Sequence, residues 1–463
     1  MNAHLRFKRI INSFDHFKRL VTGGSDEQSL SRRATRSVFW IGGGFFVQRG
    51  LQFASNLILT RLLFPEAFGL MALATVFLVG MNMFSDIGIK PSIIRDRHGN
   101  EPTFLNTAWT IQVIRGFGLF VAGCLFAYPI SLIYDQPTLL PLLAVLSSTA
   151  AIAGFNSVKV ITAERDLDFK SVIFVQVIGQ VISIIIMVAL AYEFRSVWSL
   201  AAANVFGSMT TLFLGHLILR GHKHSFTLEP IATKSIVHFG KWIFFSTIAT
   251  YLGGEGLRAV QGGLISAAEF GVLAIAYTIA AIPNELTLKL ASSIGLPAFS
   301  EAFRKDPGSM AGVLHKFRKR VLMLALMLVS AVVLTSEFLI TLLYDQRYQT
   351  AGAFVVAITL SNAITLIANG YNDSLLVLGK SKIFLRFMAI AAAARIIGTI
   401  AGFEIFGILG MIIGIGVANL TNLLFVWPVM KRFALLDIKL DVIYLTVIVL
   451  LTSLSTLCNA RLL

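Results

Sequence analysis

Apolar residues in this chain come in long unbroken runs, separated by short polar or basic connections. Twelve runs can be read, at about 37–60, 67–89, 104–127, 139–160, 170–191, 197–219, 235–257, 267–291, 319–343, 351–378, 383–403 and 407–429, and a further run at 441–460 is a candidate thirteenth. Crossing the roughly 30 Å hydrocarbon core of a bilayer takes about 20 such residues in a helix. Only a helix or a closed barrel satisfies its own backbone hydrogen bonds there, and barrel strands are about 10 residues of alternating character. The pattern predicts an all-α membrane protein with about twelve transmembrane helices plus a thirteenth.

The runs repeat. Leu132-Ile133-Tyr134-Asp135-Gln136 follows the third run, and Leu342-Leu343-Tyr344-Asp345-Gln346 follows the ninth, 210 residues later. Ala67-Phe68-Gly69-Leu70-Met71-Ala72 in the second run is echoed by Glu269-Phe270-Gly271-Val272-Leu273-Ala274 in the eighth, at an offset of 202 that Trp40-Ile41 and Trp242-Ile243 share. Three matches in order and at matching depth indicate an internal duplication. With an even number of spans per repeat, both halves run in the same direction. Two six-helix bundles related by a pseudo-two-fold axis along the membrane normal follow, an arrangement found in transporters whose lobes rock about a central cavity. The segments are a basic cytoplasmic tail (1–36), an N-terminal lobe (37–219), a cytoplasmic linker (220–234), a C-terminal lobe (235–430) and a C-terminal extension (431–463) carrying the extra helix.

Composition agrees: 56% of the 463 residues are hydrophobic and 14% charged, where soluble proteins carry about 25%. The formal net charge of +15 raises the question of nucleic acid, and its distribution answers it. Roughly thirty Lys and Arg lie in the tail and in the loops after even-numbered runs, among them Arg95, Arg97, Lys170, Lys223, Lys305, Lys319, Lys380 and Lys431. About four, Arg61, Arg195, Arg347 and Arg461, lie on the other side. That is the positive-inside pattern, with the N-terminus in the cytoplasm and the chain in an inner membrane. The tail has no apolar segment of its own, so it does not read as a signal peptide. Cys124 and Cys458 both fall inside apolar runs, and His222 and His224 share a basic loop without acidic or thiol neighbours. Neither a disulfide framework nor a metal site is expected.

Ionisable side chains inside a bilayer cost about 2.5–3.5 kcal/mol on insertion scales and face a cavity or a partner. Arg49 is mid-way along the first run, with Gln52 and Asn56 on the same helical face. Arg395 stands near mid-depth in the eleventh run, and no residue within a turn neutralises either arginine. Arg115 either snorkels to the surface or faces inward. Arg258 either pairs with Glu255 at i−3 or serves the cavity, and Glu285 with Lys289 reads as an ordinary i,i+4 pair. Asn362, Thr365, Asn369 and Asn372 form a polar stripe in the tenth run that is either cavity lining or helix–helix glue. Arg49, Gln52, Asn56, Arg115, Glu255, Arg258, Asn362, Asn369 and Arg395 are the candidate cargo-contacting residues. The excess is cationic and suits phosphate, which arginine's planar fork matches. A drug or cation exporter should instead show unpaired mid-depth carboxylates, whereas Asp86 and Asp373 lie toward the cytoplasmic ends. Gly42-Gly43-Gly44, Gly407, Gly410 and Gly414 permit close helix crossing, and Pro283 should bend the eighth span.

Several stretches resemble bacterial polysaccharide-biosynthesis membrane proteins, the Wzx-type flippases: Leu59-Thr60-Arg61-Leu62-Leu63-Phe64-Pro65-Glu66-Ala67-Phe68-Gly69-Leu70, Phe84-Ser85-Asp86-Ile87-Gly88-Ile89, Leu105-Asn106-Thr107-Ala108-Trp109, Ala163-Glu164-Arg165-Asp166-Leu167-Asp168-Phe169-Lys170 and Leu296-Pro297-Ala298-Phe299-Ser300. The resemblance runs from residue 35 to about 430. It implies the multidrug/oligosaccharidyl-lipid/polysaccharide (MOP) exporter architecture, with alternating access. The implied cargo is an undecaprenyl-pyrophosphate-linked oligosaccharide, moved between leaflets for exopolysaccharide, capsule or lipopolysaccharide assembly, with Arg49, Arg115, Arg258 and Arg395 the choices by depth and charge for its pyrophosphate. No cofactor is expected; ion coupling and contact with other polysaccharide assembly proteins stay open. The competing readings are another MOP-type exporter, of drugs or of a peptidoglycan precursor, and a membrane polymerase or ligase, for which the short outer loops leave little room.

Overall fold

A computed structural model describes residues 25–460, except positions 96, 97, 167, 220, 223, 291–298, 300–305 and 307–308. The tail before residue 25, Arg97, Lys223, Lys305, Arg461 and the 296–300 motif apart from Phe299 lie outside the described residues, as do the side chains of Arg95 and Asp373. Elements run in the order α1 (Ser25–Leu62), α2 (Pro65–Phe84), α3 (Ile89–Arg95), α4 (Pro102–Ile133), α5 (Leu139–Gly154), α6 (Lys159–Arg165), α7 (Phe169–Phe194), α8 (Val197–Ile218), α9 (Pro230–Gly253), α10 (Glu255–Leu264), α11 (Ala267–Ala280), α12 (Ile282–Leu290), α13 (Ser309–Leu343), a 3-10 turn at Gln346–Tyr348, α14 (Ala351–Val377), α15 (Ser381–Arg432) and α16 (Ile438–Ala460). No strand occurs among the described residues. Seven helices there are long and apolar enough to cross a membrane, or nine when each of two bent pairs counts as one span. The chain is a multi-pass membrane protein.

Local sequence explains the starts and breaks. Pro230 opens α9, and the Glu229 carboxylate accepts from the backbone amides of Ile231 and Ala232. Ser266 and Glu269 form a capping box on α11. Pro283 stands in the first turn of α12, which is bent 41° from α11, as the missing backbone donor requires. The run expected at 139–160 is broken into α5 and α6 with a 60° bend. The eleventh and twelfth runs meet at Phe406 and Gly407, where the glycine takes φ 61° and reverses the chain inside α15. The two arms of that hairpin touch backbone to backbone, Gly398 against Gly414 and Gly402 against Gly410. Gly44 packs on Ile173, whereas Gly42 and Gly43 face open space, so the close crossing expected at the first glycine cluster is confined to its last member.

The halves join at one end. A single buried core there runs from Leu59, Leu63, Leu70 and Leu73 of the first half to Phe270, Leu273, Ile340 and Tyr348 of the second. Gly69 of α2 lies against the Ala267 carbonyl and Gly271 of α11 against the Pro65 carbonyl, so a methyl group on either would overlap backbone. These are repeat-related residues, 202 positions apart. Around them, Tyr134 Oη donates to the Ala259 carbonyl (2.9 Å), Tyr348 Oη to Leu63 (3.3 Å), and Arg347 Nη2 to Thr60 (3.3 Å). Arg347 also binds Asp345 at 2.9 Å and holds its carboxyl below the usual carboxylate range.

At the opposite end the connection between halves is strapped to α4. Backbone amides of alternate residues Ser225, Thr227 and Glu229 donate to side-chain oxygens of Asn106 (3.1 Å), Thr110 (3.0 Å) and Thr107 (3.0 Å). His224 stacks on Trp109 with centroids 5.4 Å apart, and its Nε2 is 2.8 Å from Ser157 Oγ. Burial, with nearby His216, Lys159 and His222, pushes its pKa down from 6.5 to about 4. Docking therefore favours the neutral ring, and its contribution is complete above about pH 6.5 and lost as pH falls toward 4. Hydrogen exchange at the 225, 227 and 229 amides, corrected for intrinsic rate, should accelerate across that window; His224→Phe should flatten the dependence.

Candidate functional site

Between the halves is a cavity of about 840 Å³. Its floor at the joined end includes Leu59, Phe68 and Phe270. Helix α1 supplies one wall through Gln48, Arg49, Gln52, Ser55 and Asn56, residues three and four apart that the helical period brings onto one face. Gln180 of α7 and Asn204 of α8 stand on the first-half side; Glu255 and Arg258 of α10, Tyr277 of α11 and Glu285 of α12 complete it from the second. Gln180 Nε2 donates to the Gln48 carbonyl (3.0 Å), and Gln48 Nε2 to Gln176 (3.2 Å), which fixes this wall. Arg49 lies 13 residues before the end of α1, or about 20 Å along the axis at 1.5 Å per residue.

The cavity is not cationic, as the sequence suggested. Each lining arginine faces a carboxylate: Arg258 Nη1 is 3.2 Å from Glu255, and Arg49 Nη2 is ion-paired with Glu285 across the two halves. Arg49 Nη1 also binds Gln52 at 2.8 Å, and the Arg258 guanidinium lies over the Tyr277 ring at 4.9 Å. Arg258 therefore pairs with Glu255 and lines the cavity at once. Sequence reasoning looked for a partner of Glu285 only within its own helix, at Lys289; the carboxylate also reaches Arg49 on α1, and the Lys289 ammonium sits 4.1 Å from the Phe45 ring centre. All four charged groups are a quarter to two-fifths exposed.

Five of the nine candidates, Arg49, Gln52, Asn56, Glu255 and Arg258, meet in this cavity. Arg115, Asn362, Asn369 and Arg395 are not among its lining residues. Arg395 ties the second half together: Nε binds Asn419 (2.7 Å), Nη2 binds Thr365 (3.2 Å) and Nη1 takes the Gly253 carbonyl (3.2 Å) where α9 ends. Arg115 caps the end of α2 through the Asn82 carbonyl (2.7 Å) and Ser85 Oγ (2.9 Å), and lines a separate cavity of about 370 Å³ within the first half. Asn369 pairs with Asn372 (3.3 Å). The sequence also missed a buried ion pair, Arg318 with Asp441 at 2.7 Å. The signal was Asp441 at the head of an apolar run.

Among the described residues the chain is all-helical, and its two repeat-related halves join at one end of a polar cavity. Residues 58–353 match the family described as polysaccharide biosynthesis protein, and the chain belongs to that family. ExoT, the succinoglycan biosynthesis transport protein of Rhizobium meliloti (strain 1021), is 24% identical over 58% of this chain and 54% of its own length, so the match spans about half of that relative. The lipopolysaccharide biosynthesis protein WzxC of Escherichia coli (strain K12) is 20% identical over 87% of this chain and 82% of WzxC. The solved structure of the lipid II flippase MurJ, inward closed, superimposes with a TM-score of 0.69 at 17% identity over 90% of this chain and 92% of MurJ. An inward-facing multidrug resistance MATE family transporter of the MOP superfamily gives 0.65 at 15% identity over 84% and 95%. The Wzx-type resemblance in the sequence is thereby borne out, and the fold is that of the MOP superfamily.

Proposed function

We propose that the chain flips a polyprenyl-pyrophosphate-linked oligosaccharide between membrane leaflets by alternating access. The observation that carries the reading is the inter-half cavity, walled by amides (Gln48, Gln52, Asn56, Gln180 and Asn204) with two arginines among them. Amides offer both donors and acceptors to sugar hydroxyls, and the guanidinium fork suits phosphoryl oxygens. The prenyl tail stays in lipid. In this reading the chain forms two six-helix lobes and a thirteenth helix, with α15 counted as two spans. The joined end faces the periplasm and the basic loops the cytoplasm of an inner membrane, so the cavity stands ready for cytoplasmic cargo. The cavity carboxylates argue against a cation exporter, since each has an arginine beside it. Connections at the joined end are as short as two residues, 63–64 and 195–196, which disfavours a polymerase or ligase.

The test is flipping in proteoliposomes of a fluorescent undecaprenyl-pyrophosphate oligosaccharide, read by quenching of outer-leaflet label, with and without an ion gradient. Wild type should scramble the label asymmetry quickly. Gln52→Ala with Asn56→Ala should slow it about 10-fold, the loss of one or two hydrogen bonds of about 1 kcal/mol each. No movement with any lipid-linked sugar would overturn the reading.

A further inference from the structure

We infer that Glu285 is a resident counter-anion that anionic cargo must replace on Arg49, so that cargo binding and release of an ionic link between the two halves are one event. The inference rests on the proposed function and concerns the regulation of the same site.

Arg49 is on α1 of the first half and Glu285 on α12 of the second, 236 residues apart, and their ion pair spans the cavity between them. It stands well away from the joined end, where backbone and apolar contacts already hold the halves together. The side chains are 38% and 34% exposed to the cavity. An ion pair so wetted contributes only about 0–1 kcal/mol, so a better anion can displace the carboxylate. A pyrophosphate diester presents two phosphoryl groups with about twice the charge of one carboxylate, in the geometry a guanidinium binds bidentately. A neutral lipid-linked sugar has no charge to exchange for Glu285 and leaves the link closed. The carboxylate then acts as a charge filter as well as a latch.

The displaced Glu285 keeps a cation beside it. Lys289 is one helical turn along α12, within electrostatic reach of Glu285. Its ammonium now lies against Phe45 of α1 at 4.1 Å from the ring centre. When Arg49 turns to phosphate, Glu285 keeps the Lys289 charge beside it and does not remain uncompensated. The second pair, Arg258 with Glu255, lies three residues apart on one helix and links nothing across the halves. Arg49 and Glu285 are therefore where cargo charge can be felt as lobe movement.

The experiment uses full-length protein in detergent with farnesyl pyrophosphate as the probe and farnesol as the neutral control, binding being read by thermophoresis. Lobe separation is read by double electron–electron resonance between spin labels at His98→Cys and Lys380→Cys, with Cys124 and Cys458 replaced by serine. Glu285→Gln should bind farnesyl pyrophosphate about 10-fold more tightly than wild type. It should also show, without ligand, the distance distribution that wild type reaches only with ligand. Glu285→Asp, whose shorter arm weakens the link while keeping the charge, should fall between and guards against a folding defect in the glutamine variant. Farnesol should move nothing. Binding by wild type that is unchanged or weakened in folded Glu285→Gln would overturn the inference and leave the cargo reading standing. Binding of farnesyl pyrophosphate by neither protein would overturn both.

Discussion

Asp441→Asn will unfold the second half at a temperature about 10 °C lower than wild type, and removal of α16 will do at least as much. The Arg318 and Asp441 side chains are 1% and 0% exposed. Around them Tyr371 Oη donates to Asp441 (2.9 Å), Trp427 Nε1 to the same carboxylate (3.0 Å), and the Tyr371 ring lies 3.5 Å from the guanidinium carbon. Four helices, α13 to α16, meet at this one charge pair. Breaking a buried pair from one side costs about 3–5 kcal/mol, because the remaining charge stays in low dielectric. Spread over a cooperative unit of roughly 200 residues, that corresponds to the stated fall at about 2–4 °C per kcal/mol. Tyr371→Phe should cost about 2 kcal/mol, since it removes two hydrogen bonds, one to Asp441 and one from the Asp437 amide, and keeps the ring. Arg318→Met with Asp441→Leu should recover most of the loss, because the apolar pair removes both charges together. Thermal unfolding followed by tryptophan fluorescence decides it: an Asp441→Asn protein as stable as wild type would show that the charges are not what holds α16.

The expectation of a thirteenth helix at 441–460 came from apolar length alone, and α16 forms over Ile438–Ala460. Its dependence on Arg318 was hidden, because that arginine stood among loop cations until α13 proved to start at Ser309, ten residues before the run expected at 319. The same limit governs the cavity. Spacing along α1 was legible, since Arg49, Gln52 and Asn56 obey the helical period without help from any other segment. The reach of Glu285 to Arg49 and of Arg395 to Asn419 was hidden for a single reason: those partners are 236 and 24 positions away, beyond what i,i+4 logic can reach. Arg115 was ambiguous because depth along a helix does not say which neighbouring helix ends beside it. The repeat, by contrast, carried three-dimensional information. Phe68-Gly69-Leu70 and Phe270-Gly271-Val272 were noticed only as similar strings, yet a duplicated contact across a pseudo-two-fold axis must bring equivalent residues face to face.

That contact sets the second large expectation: Gly69→Leu will force the halves apart at the joined end and abolish rapid flipping. Backbone, not side chain, fills the space where a Cβ would stand, the Ala267 carbonyl opposite Gly69 and the Pro65 carbonyl opposite Gly271. A flexible neighbour could swing aside; a helix backbone has to translate whole. Overpacking in ordinary cores costs about 1–3 kcal/mol, and here the strain bears on one conformation only. A penalty of about 2 kcal/mol shifts the balance between closed and opened arrangements roughly 30-fold. Gly271→Leu should reproduce the effect, since the crossing is the same from either side of the axis. Gly43→Ala, which faces open space, should leave it untouched. Spin labels at Asp135→Cys and Gln346→Cys, both exposed at this end, would report the change directly as a longer distance. An unchanged distance together with normal flipping in Gly69→Leu would mean that the α2–α11 crossing is not the contact on which the two halves turn. A longer distance with flipping preserved would keep the crossing as a seal and remove it as a pivot. The expected pairing, a longer distance with flipping lost, would make the repeat-related glycines the fulcrum of the transport cycle.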